Sequence, residues 1–223
     1  RRVNVPYSHS WIMSVWHDET TENYYFGMVH NSYGIADWSP RTRSWHFLQT
    51  ETDRREELST YDIFKDHRGD IWIGTYRRGL WHVDKDSRQL KRFLLPDGKQ
   101  PEAIGRTIYK IFEDSRHNLW IGTGRRGVAR INAQRNEICC FSHVQGDSTS
   151  LIDGTHYRAI TEDSYGRIWI GNHRGFCTFD PQTGTFSQEI PRKLYATGIK
   201  PSDTYSIVTD TTGTMWMTIV GQG

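Results

Sequence analysis

Aromatic and basic side chains recur at a fixed interval along this 223-residue sequence. One series has members 47 to 49 residues apart, each lying five residues before an aspartate: Tyr61, Tyr109, Arg158 and Tyr205. A second series supplies basic groups shortly after a recurring tryptophan: Arg77, Arg78, Arg125, Arg126, His173 and Arg174. Ring faces stack on the C–H faces of sugars, and guanidinium groups pair bidentately with carboxylate or sulfate. We therefore predict that these residues bind an oligosaccharide, either neutral or anionic.

A structural interpretation of the same residues stays open. The tyrosines could pack between neighbouring sheets, and the arginines could be solvated loop charges. If the first strand of each repeat is innermost, the loops of the basic series share one face with the variable connectors 95–106, 143–155 and 190–203. Sequence that departs from a repeat is not explained by packing alone, which favours function on that face.

Other chemistries are poorly supported. Gly122–Gly127 spells GxGxxG, but its equivalents lack the middle glycine and a strand follows, so we predict no phosphate site and no cofactor. The ten histidines show no paired spacing, which predicts no metal site. A net charge of +2 argues against a dedicated nucleic-acid partner. No apolar run approaches the ~20 residues that span a bilayer, so we expect no membrane contact by this segment.

The tryptophans and aspartates belong to an internal repeat. The clearest copy is Asp66-His-Arg-Gly-Asp-Ile-Trp72-Ile-Gly-Thr, and further copies begin at Asp114, Asp163 and Asp210. Their tryptophans follow at steps of 48, 49 and 47 residues: Trp72, Trp120, Trp169 and Trp216. A degenerate copy begins at Asp18 and has Tyr25 in the tryptophan position. The sequence is therefore a repeat array.

Each period predicts four short antiparallel strands and no helix. In the third period these strands are 109–113, 119–123, 128–132 and 137–142, all rich in β-branched or aromatic residues. Four strands per ~48 residues is typical of a β-propeller blade. We predict an all-β fold with blades at about 11–57, 58–104, 105–154 and 155–202, and a half blade at 203–223. Half a blade closes nothing, so we expect a section of a larger propeller, most simply one of six to eight blades.

The repeated residues have structural interpretations. The tryptophan is expected to act as a wedge between blades, and the glycine two residues later lies where a side chain would collide with the adjoining sheet: Gly74, Gly122 and Gly171. Aspartate oxygens can cap the N–H groups of a tight turn. An active site is rarely copied once per blade, so we predict turn caps at Asp18, Asp66, Asp114, Asp163 and Asp210, and no catalytic residue.

Three cysteines are present, at positions 139, 140 and 177. Cys139 and Cys140 are neighbours on a predicted strand and should point to opposite faces. At most one of them could face Cys177, so we predict buried thiols and no disulfide-built fold.

Residues Ile63-Phe-Lys-Asp-His-Arg-Gly-Asp-Ile-Trp-Ile-Gly-Thr-Tyr-Arg-Arg-Gly-Leu80 resemble the two-component regulator propeller repeat. The family pattern is an apolar residue, an Asp-x-x-Gly turn, Leu-Trp-Ile-Gly-Thr and then Gly-Leu, and this chain departs from it at Thr218. Such repeats are similar to those in the periplasmic sensor region of hybrid two-component system histidine kinases. The resemblance implies a sensing role on the periplasmic or extracellular side of a membrane-anchored parent protein. It also implies the parent's remaining blades and signalling domains as partners, and no kinase chemistry in this chain.

We predict a non-enzymatic, ligand-sensing function for this propeller section, with an oligosaccharide as the ligand. Two alternatives stay open. One is a carbohydrate-active propeller enzyme, a sialidase-like hydrolase or a lyase, for which the connectors offer Glu102 and Asp203 as acid candidates. The other is a scaffold that binds another protein. If the section stood alone, its open sheet faces would favour a homodimer.

Overall fold

The computed structural model describes residues 11–29, 34–48, 58–84, 86–98 and 102–221. The chain divides into two compact units, Arg1–Phe93 and Leu94–Gly223. Each unit consists of antiparallel sheets in which every strand pairs with its neighbour in sequence. We call the five sheets blades 1 to 5 in chain order.

The first unit holds blades 1 and 2. Blade 1 consists of β1 (Trp11–Asp18), β2 (Asn23–Val29), β3 (Ile35–Ser39) and β4 (Ser44–Phe47). Blade 2 consists of β5 (Thr60–Lys65), β6 (Ile71–Thr75), β7 (Leu80–Val83) and β8 (Leu90–Arg92). Both are four-stranded meanders.

The second unit holds blades 3 to 5. Blade 3 consists of β9 (Ile108–Glu113), β10 (Leu119–Thr123), β11 (Val128–Ile131) and β12 (Ile138–Phe141). Blade 4 consists of β13 (Ala159–Glu162), β14 (Ile168–Asn172), β15 (Gly175–Asp180) and β16 (Thr185–Ser187). Among the described residues, blade 5 has two strands, β17 (Thr204–Thr209) and β18 (Met215–Ile219). The predicted all-β fold of four-stranded blades is confirmed.

Two short helical segments lie in the connectors, where we predicted none. A 3-10 turn spans Glu102–Ile104, and the helix α1 spans Glu189–Tyr195. Pro191 is tolerated in the first turn of α1, and Lys193 pairs with Glu189 at 2.8 Å. A helix of seven residues is too short to show an apolar stripe over three turns, which is why the pattern missed it. No helix in the described part of the chain is long and apolar enough to cross a membrane.

The second strands form the centre of the core. All five residues of β6, of β10 and of β14 are buried, because both faces of a blade are covered. Trp120 is fully buried, with its ring stacked on Phe141 of its own blade at 5.7 Å and edge-on to Phe179 of blade 4 at 5.1 Å. This indole is therefore a wedge between blades.

Trp216 differs from the other motif indoles. It is 62% exposed, whereas Trp72 and Trp169 are 3% and 9% exposed. In blade 3 the indole is covered by Phe141 of the fourth strand, and the described part of blade 5 has only two strands. The wedge role of Trp216 therefore stays a prediction.

The glycine after each motif tryptophan allows neighbouring sheets to approach closely. A Cβ on Gly122 would lie 2.2 Å from the backbone oxygen of Tyr157, at the start of blade 4. A Cβ on Gly171 would lie 2.6 Å from Cγ2 of Thr204 in blade 5. Gly74 occupies the same position in β6, opposite Leu80.

Contacts between successive blades also come from the residue just before three of the turn aspartates, Asp66, Asp163 and Asp210. Lys65 donates to Asp18 at 2.9 Å, which links blade 2 to blade 1. Glu162 of blade 4 accepts two hydrogen bonds from Ser115 of blade 3, at 2.7 and 2.8 Å. Thr209 of blade 5 donates to the backbone oxygen of Glu162 at 3.0 Å. The residue at this repeat position thus links blades 2, 4 and 5 to the blade before each of them, through a different pair of hydrogen-bonding groups in each case.

The expectation that all three thiols are buried is wrong for two of them. Cys139 and Cys140 are exposed, and Cys177 is buried. The first two lie on β12, the last strand of blade 3, which has a partner strand on one side only. At such an edge, both faces of the strand reach solvent. Burial raises the pKa of Cys177 to about 12, which makes its thiol inert.

Candidate functional site

The turn aspartates are occupied by local hydrogen bonds. Asp114 Oδ1 accepts from the backbone N–H groups of Arg116 and Asn118 at 3.0 and 2.8 Å. Asp114 Oδ2 accepts from the indole Nε1 of Trp120 at 2.8 Å. The same indole bond occurs in blades 2, 4 and 5, at 2.9, 2.8 and 2.9 Å. These carboxylates hold a turn and orient a tryptophan, which leaves them poorly suited to acid–base chemistry.

Blade 1 uses its turn aspartate differently because Tyr25 has no indole N–H. Asp18 accepts from the backbone and hydroxyl of Thr20, at 3.1 and 2.6 Å, and from Lys65. Burial opposes ionisation of Asp18, but these hydrogen bonds outweigh it and hold the pKa of its carboxyl well below its ordinary value.

Three of the four residues in the predicted tyrosine and arginine series lie together in the second unit. Tyr109 and Tyr205 are the second residues of β9 and β17, and Arg158 directly precedes β13. The Arg158 guanidinium lies 5.1 Å from the ring centroid of Tyr109 and 5.1 Å from that of Tyr205. Three consecutive blades therefore place one cation between two aromatic rings, a cation–π arrangement.

Further polar groups surround this arginine. Arg158 Nη1 lies 3.4 Å from Oδ2 of Asp203, whose Oδ1 is buried without a hydrogen-bond partner among the described residues. The His156 ring lies 5.3 Å from Tyr109 and 6.1 Å from the ring of His173. We call this group the Arg158 cluster: Tyr109, His156, Arg158, His173, Asp203 and Tyr205.

The two histidines are held in defined environments. Burial and the charges of Arg158 and His173 lower the pKa of His156, so its imidazole is neutral at neutral pH. The backbone N–H of Thr155 donates to Nδ1 of His173 at 3.0 Å. The same Nδ1 lies 2.9 Å from the backbone oxygen of Thr155, so the backbone of Thr155 positions the His173 ring.

The other predicted basic residues of the second unit lie on loops near this cluster. The backbone oxygen of Gly124, next to Arg125 and Arg126, accepts from the N–H of His156 at 2.9 Å. Both arginine side chains are exposed. Arg174 is exposed and forms an ion pair with Asp153.

The first unit contains a smaller set of the same residue types. The rings of Tyr61 and Tyr76 meet edge-to-face at 5.9 Å, and the Arg77 guanidinium lies 4.9 Å from the Tyr76 centroid. Arg78 has an exposed side chain, and its backbone oxygen accepts from the Trp81 indole at 3.0 Å. Of the ten predicted binding residues, four thus belong to the Arg158 cluster, namely Tyr109, Arg158, His173 and Tyr205.

Sequence reasoning missed His156 as a member of the cluster and considered Asp203 only as a candidate enzyme acid. Strand alternation gives no signal for them, because both residues lie in the connectors before β13 and β17, and His156 has a φ of 58°. The other acid candidate, Glu102, is exposed at the start of the 3-10 turn. Asp203 is engaged as the counter-ion of Arg158.

Comparisons with known proteins agree with this architecture. The model of the two component regulator propeller family matches three stretches of the chain, residues 57–77, 104–125 and 150–174. No curated protein matches the sequence.

Among solved structures, the chain is similar to two extracellular domains described as those of hybrid two component systems from B. thetaiotaomicron. The first is 18% identical with a TM-score of 0.71, over 97% of this chain and 28% of that chain. The second is 17% identical with a TM-score of 0.69, over 94% of this chain and 28% of that chain. A catalytically inactive virginiamycin B lyase from Staphylococcus aureus is 12% identical with a TM-score of 0.67, over 99% and 67% of the two chains.

At these identities the likeness concerns the fold alone. The chain spans little more than a quarter of the two extracellular domains, 28% of each. The three matched stretches carry the motifs of Trp72, Trp120 and Trp169, which the structure places at the centres of successive blades. Three stretches of this chain, one in each of blades 2, 3 and 4, therefore match the model of the two component regulator propeller family.

Proposed function

We propose that the chain is a non-enzymatic, ligand-sensing propeller section of an extracytoplasmic two-component receptor, and that the Arg158 cluster binds an oligosaccharide. The observation that carries the proposal is the Arg158 guanidinium between the rings of Tyr109 and Tyr205. The similarity to extracellular domains of hybrid two component systems supports the receptor context.

The cluster has the groups that a sugar chain needs. Tyr205 is 49% exposed, so its ring is accessible for stacking on a pyranose face. Arg158 is bound to Asp203 at 3.4 Å, a long contact that leaves guanidinium N–H groups for a ligand carboxylate or sulfate. The neutral imidazole of His156 and the ring of His173 can hydrogen-bond to ligand hydroxyl groups.

Binding is favoured over catalysis by the placement of the carboxylates. The turn aspartates of blades 2 to 5 are each engaged by an indole N–H. Glycoside hydrolysis requires two carboxyl groups on either side of the scissile bond. In the Arg158 cluster, Asp203 is the single carboxylate, and it is paired with a guanidinium.

Calorimetric titration of the chain with neutral, uronic-acid-containing and sulfated oligosaccharides tests the proposal. We expect saturable binding of at least one of these, weakened at least tenfold by Arg158→Ala and by Tyr205→Ala. Tyr165→Ala is the matched control, because Tyr165 is a highly exposed tyrosine of blade 4, at 81%, that stacks on Arg167 outside the cluster.

Two results would contradict the proposal. Binding that is unchanged by both cluster variants would remove the cluster from the function. Shortened products released from the same oligosaccharides would show an enzyme instead of a sensor.

A further inference from the structure

A polar cavity lies in the first unit, on one face of blade 1. Its volume is about 430 Å³, and Asp37 and His46 line it together with Arg88 from the turn between β7 and β8. Small-molecule sites have volumes of roughly 300–1,000 Å³. The cavity is therefore large enough for a small ligand.

The strand register explains how these side chains meet. Asp37 on β3 lies opposite Tyr25 on β2 and opposite His46 on β4. Residues two apart on a strand share a face, so Asn23 and Ser39 join the same side. The Asn23 amide donates to Asp37 Oδ2 at 3.4 Å, and His46 Nδ1 lies 3.7 Å from the same oxygen.

The cavity arises where blade 1 departs from the repeat. Tyr25 replaces the motif tryptophan, and its hydroxyl accepts from Arg88 Nη2 at 3.2 Å. The residue opposite the motif aromatic is Asp37 in blade 1, whereas the other complete blades have His82, Arg130 and Thr178 there. The blade fold does not require a carboxylate at this position.

Asp37 is a buried carboxyl in the wall of the cavity. It is 4% exposed, yet its contacts to Asn23 and His46 are long. Burial raises the pKa of the Asp37 carboxyl, while the charges of His46 and Arg88 oppose this shift. A buried carboxyl with weak partners is costly unless a further donor completes its hydrogen bonds.

We propose that this blade 1 cavity binds a single neutral sugar ring. A carboxylate accepts from two ligand hydroxyls, a guanidinium donates to ring or hydroxyl oxygens, and the Asn23 amide and Ser39 hydroxyl do both. Phe47 and Leu48 supply an apolar wall for the C–H face of the ring. The opposite charges of Asp37 and Arg88 penalise a ligand of either net charge, which favours a neutral polyol.

The inference is independent of the Arg158 cluster, because all residues of this cavity belong to the first unit. The chain is titrated with glucose, galactose and mannose, with galacturonate as the anionic probe and with glycine as the zwitterionic probe, by calorimetry and saturation-transfer NMR. We expect one neutral hexose to bind, and Asp37→Asn and Arg88→Gln each to weaken it at least tenfold.

Two controls separate this site from other effects. Glu19→Gln makes the same carboxylate-to-amide change at an exposed position of the same blade and should leave binding unchanged. Arg158→Ala should also leave hexose binding unchanged, so failure of the oligosaccharide proposal would not affect this one. Arg88 is exposed, so its variant keeps the test valid if Asp37→Asn fails to fold.

Three results would overturn the inference. The first is that none of the three hexoses binds. The second is that galacturonate or glycine binds more tightly than every hexose. The third is hexose binding that Asp37→Asn and Arg88→Gln leave intact.

Discussion

The indole Nε1 of Trp120 donates a hydrogen bond to Oδ2 of Asp114 at 2.8 Å, across the turn between the first two strands of blade 3. The turn aspartate and the motif tryptophan of the repeat therefore act together. The aspartate shapes the turn, and the same carboxylate fixes the orientation of the indole that packs between blades.

Removal of this link should destabilise the second unit. Trp120→Phe keeps an aromatic ring but leaves the Asp114 carboxylate short of one donor, so we expect a loss of about 1–3 kcal/mol in the free energy of unfolding. Trp120→Ala also leaves a cavity, and about 3–5 kcal/mol should be lost. Urea unfolding followed by circular dichroism measures both. Trp216→Ala is the control for Trp120→Ala, and an equal loss there would contradict the wedge role of Trp120, because Trp216 is largely exposed.

The turn carboxylates should make the protein sensitive to acid. Burial alone would raise the pKa of Asp163, but hydrogen bonds from Trp169 and Arg167 outweigh it and hold the pKa below its ordinary value. Hydrogen bonds from Thr212 and Trp216 lower the pKa of Asp210 to about 2. A lowered pKa stabilises the fold above the unfolded value, near 3.9, and this stabilisation is lost as pH falls through the folded value.

We therefore expect the free energy of unfolding to fall between about pH 4 and pH 2. Urea unfolding at half-unit steps of pH measures this decrease. Asp163→Asn should flatten the profile, and a stability that stays constant down to pH 2 would contradict the assignment.

Tyr157 should ionise late in an alkaline titration. Its ring is 1% exposed, and its hydroxyl donates to the backbone oxygen of Ile152 at 2.8 Å. Burial raises the pKa of Tyr157 to about 12, although a hydrogen bond from Asn172 lowers it in part. A raised pKa stabilises the fold fully below the unfolded value of about 10, and the contribution is lost as pH rises toward 12.

Ultraviolet difference titration detects this ionisation as a separate step. Tyr157→Phe should reduce the late step, because burial raises the pKa of Tyr195 as well, and Tyr165→Phe should leave the step in place. A single transition of all tyrosines near pH 10 in the folded protein would refute the burial argument.

The three thiols should react at two different rates. Cys139 and Cys140 are exposed on β12, and Cys177 is fully buried. With a thiol reagent such as dithionitrobenzoate we expect two equivalents to react at once and the third only after unfolding. Cys177→Ala should leave the fast amplitude unchanged. Three fast equivalents in the native protein would disagree with the structure.

The sequence predicted the blades well because each strand is a local apolar pattern between turn residues. The predicted strand 119–123 coincides with β10, Leu119–Thr123, and the predicted 109–113 misses only Ile108 of β9. The connectors carry no repeat, so α1 could not be predicted by comparison between copies. The burial predicted for Cys139 and Cys140 is wrong because β12 is the outer strand of its blade, a position that the local sequence pattern does not reveal.

The site was only partly predictable. The repeat column brought Tyr109, Arg158 and Tyr205 into one set, but the 5.1 Å stacking of the guanidinium depends on three blades packing together. The blade 1 cavity depends on the exchange of tryptophan for Tyr25 and on Arg88 from the next blade. The sequence shows that Tyr25 departs from the repeat, but it does not show which distant side chain will hydrogen-bond to it.

Near-identical repeats can dock out of sequence while a chain folds. Lys65 and Glu162 would oppose such an error, because Lys65 suits the acidic turn at Asp18 and Glu162 suits the donors of Ser115. Were the two exchanged, Glu162 would meet the carboxylate of Asp18 and the mistaken pairing would be repelled. The side chain at this one variable position would thus favour the pairing of each of these blades with the blade that precedes it in sequence.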